Sequence, residues 1–145
     1  MVSAGQVVVD TPLSARLTGY DIDAVLDPSS HIVSGDMTAW WVNNSAKPVG
    51  DAMMHMYLNA FSSNKSTFAA SGRWSPEGDE GWGWVRIGSI RDGNGNDLSG
   101  SMNIQSQDDG NLQDKSVLQI VQTQPVPPGD TLRLRIQSES KLHSP

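Results

Sequence analysis

The chain has 145 residues, the length of one ordinary domain. Ten basic residues stand against sixteen acidic ones, so the net charge is −6, and no basic run marks a nucleic-acid binder or a protein that binds anionic membranes. Cysteine is absent, which excludes disulfides and thiolate metal sites and leaves the compartment open. No apolar stretch approaches about 18 residues and no signal-peptide pattern is present, so we expect no membrane insertion.

Residue usage favours β-structure. Aspartate outnumbers glutamate by thirteen to three, glycine and proline supply 14 and 8 residues, and strong helix formers are sparse. These proportions are typical of an all-β domain with many turns. We predict an arm or edge strand over residues 1–14, a single β-domain over 15–142 and a short tail over 143–145.

Alternating apolar and polar residues predict three strands in the first half of the domain. In residues 17–26, the even positions from Tyr20 to Leu26 are apolar, and Asp21 and Asp23 lie between them. This period of two indicates a strand with one dry face. Two further strands are predicted over residues 31–43 and 52–58.

The second half contains shorter signals. Residues 66–70 fit either a short strand or one helical turn. Further strands are predicted over residues 82–90, 98–104, 116–122 and 131–136, with turn residues between them. Seven or eight short strands at regular spacing predict an antiparallel β-sandwich, or a saddle-shaped two-sheet relative of one.

Metal-ligand patterns are weak. The three histidines are scattered and form no His-Glu-x-x-His motif. Residues 92–97 resemble the first half of an EF-hand loop but lack its glycine, and the glutamate of the second half is missing too. A second oxygen-rich loop holds weak calcium candidates in Asp108, Asp109 and Asp114, for which Asx-type turns are the alternative interpretation. We predict no zinc site in this chain.

Catalytic signatures are also missing from the sequence. No serine lies in a Gly-x-Ser-x-Gly motif, and Glu77, Asp79 and Glu80 lie in a glycine-rich loop where carboxylates stay solvated. We therefore predict that the chain is not an enzyme. Asn-x-Ser patterns begin at Asn43 and Asn64, and they bear on glycosylation only in a eukaryotic secretory setting.

Tryptophan and methionine clusters are the strongest local signals. Trp74, Trp82 and Trp84 fall within eleven residues, and the last two are expected on the same face of one strand. Such indoles fill a core, form an interface or present a sugar-binding platform beside carboxylates. Methionine adapts to irregular contacts, and the third strand supplies further interface candidates. These are Met53, Met54 and Met56.

An ordered set of segments resembles one family. The segments are residues 20–28 (YDIDAVLDP), 34–35 (SG), 41–45 (WVNNS), 55–61 (HMYLNAF), 108–111 (DDGN), 126–130 (VPPGD) and 132–136 (LRLRI). Their order and spacing resemble the N-terminal domain of aminopeptidase N-like zinc metallopeptidases, especially a bacterial branch. The resemblance covers roughly residues 15–142.

The resemblance implies a saddle-shaped, all-β domain that precedes a helical zinc catalytic domain. The family's His-Glu-x-x-His and Gly-x-Met-Glu-Asn motifs do not occur in this sequence, so no catalytic residue is carried over. Zinc is then expected only in the catalytic domain of a parent protein; this chain would provide a scaffold and shape access to the active site of that domain. The expected partner is that catalytic domain or a second copy of the chain, in the bacterial cytoplasm, the periplasm or outside the cell. The alternative is a free-standing carbohydrate-binding module that uses the three tryptophans.

Overall fold

Seven strands form most of the part of the chain that the structure, a computed structural model, describes: residues 14–74, 81–106 and 109–143. Strands hold 52% of these residues and helices 10%, which confirms the prediction of an all-β domain. The predicted arm, apart from Ser14, lies outside the described residues. The same is true of the acidic loop residues Glu77, Asp79 and Glu80, of Asp108, and of the last two residues of the tail.

The strands follow one another with few helical segments between them. In chain order they are β1 (Thr18–Asp27), β2 (Ile32–Val42), β3 (Val49–His55), β4 (Trp84–Asp92), β5 (Met102–Gln105), β6 (Val117–Val126) and β7 (Thr131–Lys141). The helical segments among the described residues are two 3-10 turns, Tyr57–Phe61 and Ser99–Ser101, and one α-helical turn, α1 (Thr67–Ala70).

Local hydrogen bonds explain where the strands differ from the predicted ranges. The predicted strand over 82–90 begins only at Trp84, because the N–H of Gly83 donates to the carbonyl of Phe61, outside any strand. Of the two alternatives for residues 66–70, the helical turn is the one observed. Its N-cap is Ser66, whose hydroxyl accepts a hydrogen bond from the N–H of Ala69.

The strands form two antiparallel sheets, as predicted for a sandwich. The large sheet has the order β1-β2-β7-β4 and the small sheet the order β3-β6-β5. The pairing of β1 with β2 runs without interruption from Thr18 opposite Trp41 to Asp27 opposite Ile32. The pairing of β4 with β7 is interrupted between Ile87 and Ser89.

The core lies between the central strands of the two sheets. On β7, Leu132, Leu134 and Ile136 are buried and alternate with exposed residues, which confirms the inward face predicted for the last strand. Leu118 and Ile120 of β6 face them from the small sheet. Full burial of one such side chain contributes roughly 1.5–3 kcal/mol, so these central strands hold the two sheets together.

The large sheet is one strand wider than the small sheet, and the extra width falls on β1. One cross-strand row runs from Ile22 on β1 through Met37 on β2 to Ile136 on β7. Ile136 has no exposed surface, Met37 is half-buried, and Ile22 is 58% exposed. The small sheet therefore covers β7 and leaves the apolar side of β1 open.

Candidate functional site

A groove of about 320 Å³ opens beside β1, between the two sheets. We call it the β1 groove; its lining includes Thr18, Tyr20, Ala39, Trp41, Ala52 and Met53. Three large apolar side chains project from β1 on the same side of the sheet, and they are strongly exposed: Tyr20 at 64%, Ile22 at 58% and Leu26 at 52%. The groove and this apolar row together form a surface of the kind that marks an interaction site.

The backbone of β1 adds a second feature to this surface. Among the described residues β1 pairs only with β2, over ten consecutive residues, so its other edge presents unpaired N–H and C=O groups. The opposite edge of the large sheet, β4, is interrupted between Ile87 and Ser89. Such irregularities blunt an edge against pairing, so β1 is the better of the two templates for a further strand.

The outer face of the large sheet beside β1 is acidic. Asp36 of β2 receives two hydrogen bonds from the guanidinium of Arg135, at 3.1 and 3.0 Å. This contact lowers the pKa of Asp36 and raises that of Arg135. Asp23 lies directly opposite Asp36, and within the described ranges neither it nor Asp21 forms a salt bridge. The outer face of β1 therefore carries negative charge that no described cation neutralises.

A hydrogen-bonded turn closes the far end of β1. The carboxylate of Asp27 accepts hydrogen bonds from the hydroxyls of Ser29 and Ser30 and from the N–H of Ser29. These bonds favour the ionised form and lower the pKa of Asp27 to about 2. The turn therefore holds one carboxylate in a structural role at the point where β1 leads into β2.

The three candidate methionines do not form one surface. Met53 is 59% exposed and lines the β1 groove, so it stays an interface candidate. Met54 is half-buried and packs against the core. Met56 is only 8% exposed and belongs to the core, so its assignment to an interface is wrong. The N–H of Met56 donates to the carbonyl of Ser116, which draws the chain inward at the end of β3.

The structure brings two of the three tryptophans together and separates the third from them. The rings of Trp74 and Trp82 meet edge to face, with centroids 5.5 Å apart. Trp84 instead lies under the guanidinium of Arg86, 4.0 Å from the ring centroid, and no ring contact within the described residues joins it to the other two. The prediction that Trp82 and Trp84 share a strand face is wrong, because the strand begins at Trp84.

Two phenylalanines and a histidine complete the cluster around Trp74. The ring centroid of Phe61 lies 5.0 Å from that of Trp74. The Phe61 ring also stacks on the ring of His143, with centroids 4.2 Å apart. Phe68 touches Phe61 at 5.2 Å. We call Phe61, Phe68, Trp74, Trp82 and His143 the aromatic cluster. Three of its five members were not among the sequence candidates: Phe61 and His143 lie far from the tryptophans in sequence, and Phe68, six residues before Trp74, belongs to no tryptophan motif.

The candidate calcium loop is tied to helix α1. Asp109 accepts a hydrogen bond from the hydroxyl of Thr67 at 2.6 Å, which lowers the pKa of Asp109. Asp114 accepts from the N–H of Thr67 at 3.0 Å and from Ser116. Burial alone would raise the pKa of Asp114, but these hydrogen bonds outweigh it, so the pKa lies below its usual value. Within the described residues, no group of three or more acidic or histidine side chains has the arrangement of a metal site.

One of the two glycosylation patterns is inaccessible. Asn43 has no exposed surface, and its side-chain N–H groups donate to the carbonyls of Lys47 and Val126. A glycan would have to replace one of those hydrogen bonds inside the protein. Asn64, at the second pattern, is exposed in a turn.

Comparison of the chain with protein-family models, curated proteins and solved structures gives no match in any of the three. In the described part of the chain, no helix has the length and apolar character needed to cross a bilayer.

Proposed function

We propose that this chain is a non-catalytic β-domain that docks through the β1 groove onto a second protein body. The uncovered apolar row on β1 is the observation that carries the proposal. This row projects toward the side of the large sheet that the small sheet covers at β7. Each of its three side chains is nevertheless more than half exposed: Tyr20, Ile22 and Leu26. Removal of such surface from water stabilises a complex by roughly 25 cal/mol for each Å² buried, before the costs of association.

The family resemblance supplies the identity of the proposed partner. It names the catalytic domain of a zinc aminopeptidase-like protein, and on this proposal zinc and the catalytic residues belong to that domain. This chain would scaffold the partner and shape access to its active site. Exposed Met53, which lines the same groove, supports the proposal because a flexible thioether adapts to the surface that it meets.

The test measures binding of the chain to the separately produced catalytic domain of its parent protein, by calorimetry. Tyr20→Ser with Ile22→Ser should weaken binding by about 2 kcal/mol or more if these side chains anchor the interface. The matched control is Ile104→Ser with Leu112→Ser, which removes exposed apolar side chains elsewhere. Urea unfolding of each variant, carried out alongside, separates loss of binding from loss of the fold.

Two outcomes would contradict the docking function. One is the absence of binding by the wild-type chain; the other is equal weakening by the groove variant and its control. A parallel titration with soluble oligosaccharides tests the carbohydrate-binding alternative. A saturable response of tryptophan fluorescence to sugar, with none to the catalytic domain, would establish that alternative instead.

A further inference from the structure

We propose that the partner binds β1 by strand addition: an extended segment that alternates basic and apolar side chains pairs with the edge of β1 that no described strand occupies and becomes the fifth strand of the large sheet. This inference rests on the proposed docking function and specifies the chemistry of the docking segment. Three properties of β1 support it, and each comes from a different part of the strand: its backbone, its inner side chains and its outer side chains.

The backbone of β1 is a long and regular template. Ten consecutive residues, Thr18–Asp27, pair with β2 in one register without a bulge. Every second residue of a strand directs its N–H and C=O groups to the same edge, so about half of these residues offer both groups to an incoming strand. A segment that added here would satisfy hydrogen-bonding groups along the whole length of β1.

The inner side chains of β1 require apolar neighbours. Ile22 already lies beside Met37 on one side, and Tyr20 beside Ala39. An added strand would place its inward side chains on the other flank of Ile22 and Tyr20 and would continue the apolar rows of the sheet. Every second residue of the segment must therefore be apolar.

The two aspartates Asp21 and Asp23 on the outer face of β1, beside exposed Val25, favour basic neighbours. β7 of the same sheet shows the matching pattern: its inward Leu132 and Leu134 alternate with outward arginines, one of which pairs with Asp36. Asp21 and Asp23 present the same acidic group on β1, with no cation from the described residues. A segment patterned like β7 would bring arginine or lysine opposite these carboxylates, where opposite charges stabilise the pairing.

A second copy of the chain is a poor occupant for the same edge. If two β1 strands paired antiparallel about Ile22, Asp21 of each copy would lie opposite Asp23 of the other. If the two strands paired about Asp23 instead, Asp23 of one copy would lie opposite Asp23 of the other. Like charges in such positions oppose the pairing, so the charge pattern of β1 favours a basic partner over self-association.

The experiment uses the full chain and a synthetic ten-residue peptide of alternating arginine and valine, with binding followed by NMR. We expect saturable binding, new protection from hydrogen exchange at alternate amides of β1, and weaker binding as salt is added. An alternating glutamate and valine peptide should not bind. Asp21→Lys with Asp23→Lys should weaken binding of the arginine peptide about tenfold or more. Asp97→Lys with Asp130→Lys, the control of equal charge change, should leave it unaltered.

Two isomers of the arginine peptide test the backbone contribution directly. One carries N-methyl groups on its arginines and the other on its valines, so charge and composition are identical. In an added strand only one of the two sets of amides points at β1. One isomer should therefore lose at least about tenfold in affinity while the other binds like the parent peptide.

Three outcomes would overturn the strand-addition proposal. The first is equal binding of the two methylated isomers. The second is protection of the outward amides of β1 in the free chain at every concentration, because the chain itself would then cover the edge. The third is protection that appears only at high concentration, because the occupant would then be a second copy. None of these results removes binding of the catalytic domain through Tyr20 and Ile22, so the two proposals fail separately.

Discussion

The side-chain amide of Asn43 donates a hydrogen bond to the main-chain carbonyl of Val126 at 2.8 Å, across 83 residues of sequence. Asn43 directly follows β2 of the large sheet, and Val126 ends β6 of the small sheet. The same side chain also bonds Lys47 and Ser45, and the backbone N–H of Asn43 donates to Asp130. This buried residue therefore links the two sheets at one end of the sandwich.

Replacement of Asn43 by alanine should destabilise the domain by about 3 kcal/mol, because buried backbone groups would lose their partners. The matched control is Asn44→Ala, since Asn44 is the exposed neighbour. Urea unfolding measures both changes. A loss below about 0.5 kcal/mol for Asn43→Ala would contradict the linking role.

Replacement by alanine should destabilise the domain strongly at Met56, just beyond β3, and hardly at all at Met53, within β3. Met56→Ala should cost about 2–5 kcal/mol, because it leaves a cavity in the core. Met53→Ala should change the free energy of unfolding by less than about 0.5 kcal/mol, because Met53 is exposed. Thermal or urea unfolding tests the pair, and similar costs for the two variants would contradict their different positions.

The aromatic cluster should contribute to stability, whereas Trp84 should contribute little. Phe61→Ala removes contacts with Phe68, Trp74 and His143, each worth about 0.5–1.5 kcal/mol beyond burial. We therefore expect a loss of about 2–4 kcal/mol. Trp84→Ala loses mainly its contact with Arg86 and should cost about 0.5–1 kcal/mol. The prediction fails if the urea midpoint falls further for Trp84→Ala than for Phe61→Ala.

Gly19 makes room for the ring of Trp40 on the neighbouring strand. A Cβ atom at Gly19 would lie 2.3 Å from Cζ2 of Trp40, so Gly19→Ala should destabilise the domain by about 1–3 kcal/mol. Gly50→Ala is the matched control in β3, where a Cβ atom would meet nothing within 4 Å. In a Trp40→Ala background the cost of Gly19→Ala should largely vanish, and a double-mutant cycle without such coupling would refute the contact.

The turn at Asp27 should make stability depend on acid pH. Its folded pKa of about 2 lies below the unfolded value of about 3.9. The stabilisation is therefore fully present above pH 4 or so and is lost as the pH falls toward about 2. NMR titration of the Asp27 carboxyl group measures the folded pKa directly. Ser29→Ala with Ser30→Ala should raise that pKa toward its usual value, and an unchanged titration would show that the hydroxyl hydrogen bonds are not its cause.

The strand pattern was predictable wherever a strand has one buried and one exposed face. β7 illustrates this: Leu132, Leu134 and Ile136 alternate with arginines, and all three are buried as predicted. The same period separated the acidic from the apolar side chains of β1, but the dry face predicted for that strand is wrong, since Tyr20, Ile22 and Leu26 are each more than half exposed. It could not reveal that the apolar face of β1 is uncovered, because alternation indicates which side chains share a face and not what lies opposite them.

The errors in the candidate site have a common physical origin. The alternating pattern predicts that Met56 and Trp82 lie within strands. Backbone hydrogen bonds to distant residues instead end β3 before Met56 and start β4 after Trp82. The aromatic cluster also joins residues that are close in space but far apart in the chain, since the stacked rings of Phe61 and His143 are 82 residues apart in sequence. A sequence contains the side chains of such a cluster but not their convergence.

Composition and periodicity were therefore sufficient for the all-β class, for the faces of the long strands and for most turns, because these properties depend on neighbouring residues. Among the described residues, tertiary structure decided the different widths of the two sheets, the open groove beside β1 and the edge of β1 that no described strand pairs with. These features depend on which strands pair and on how much of one sheet the other covers. The pairing is a balance among all possible partners, and burial at β1 is set by strands that lie far from it in the chain.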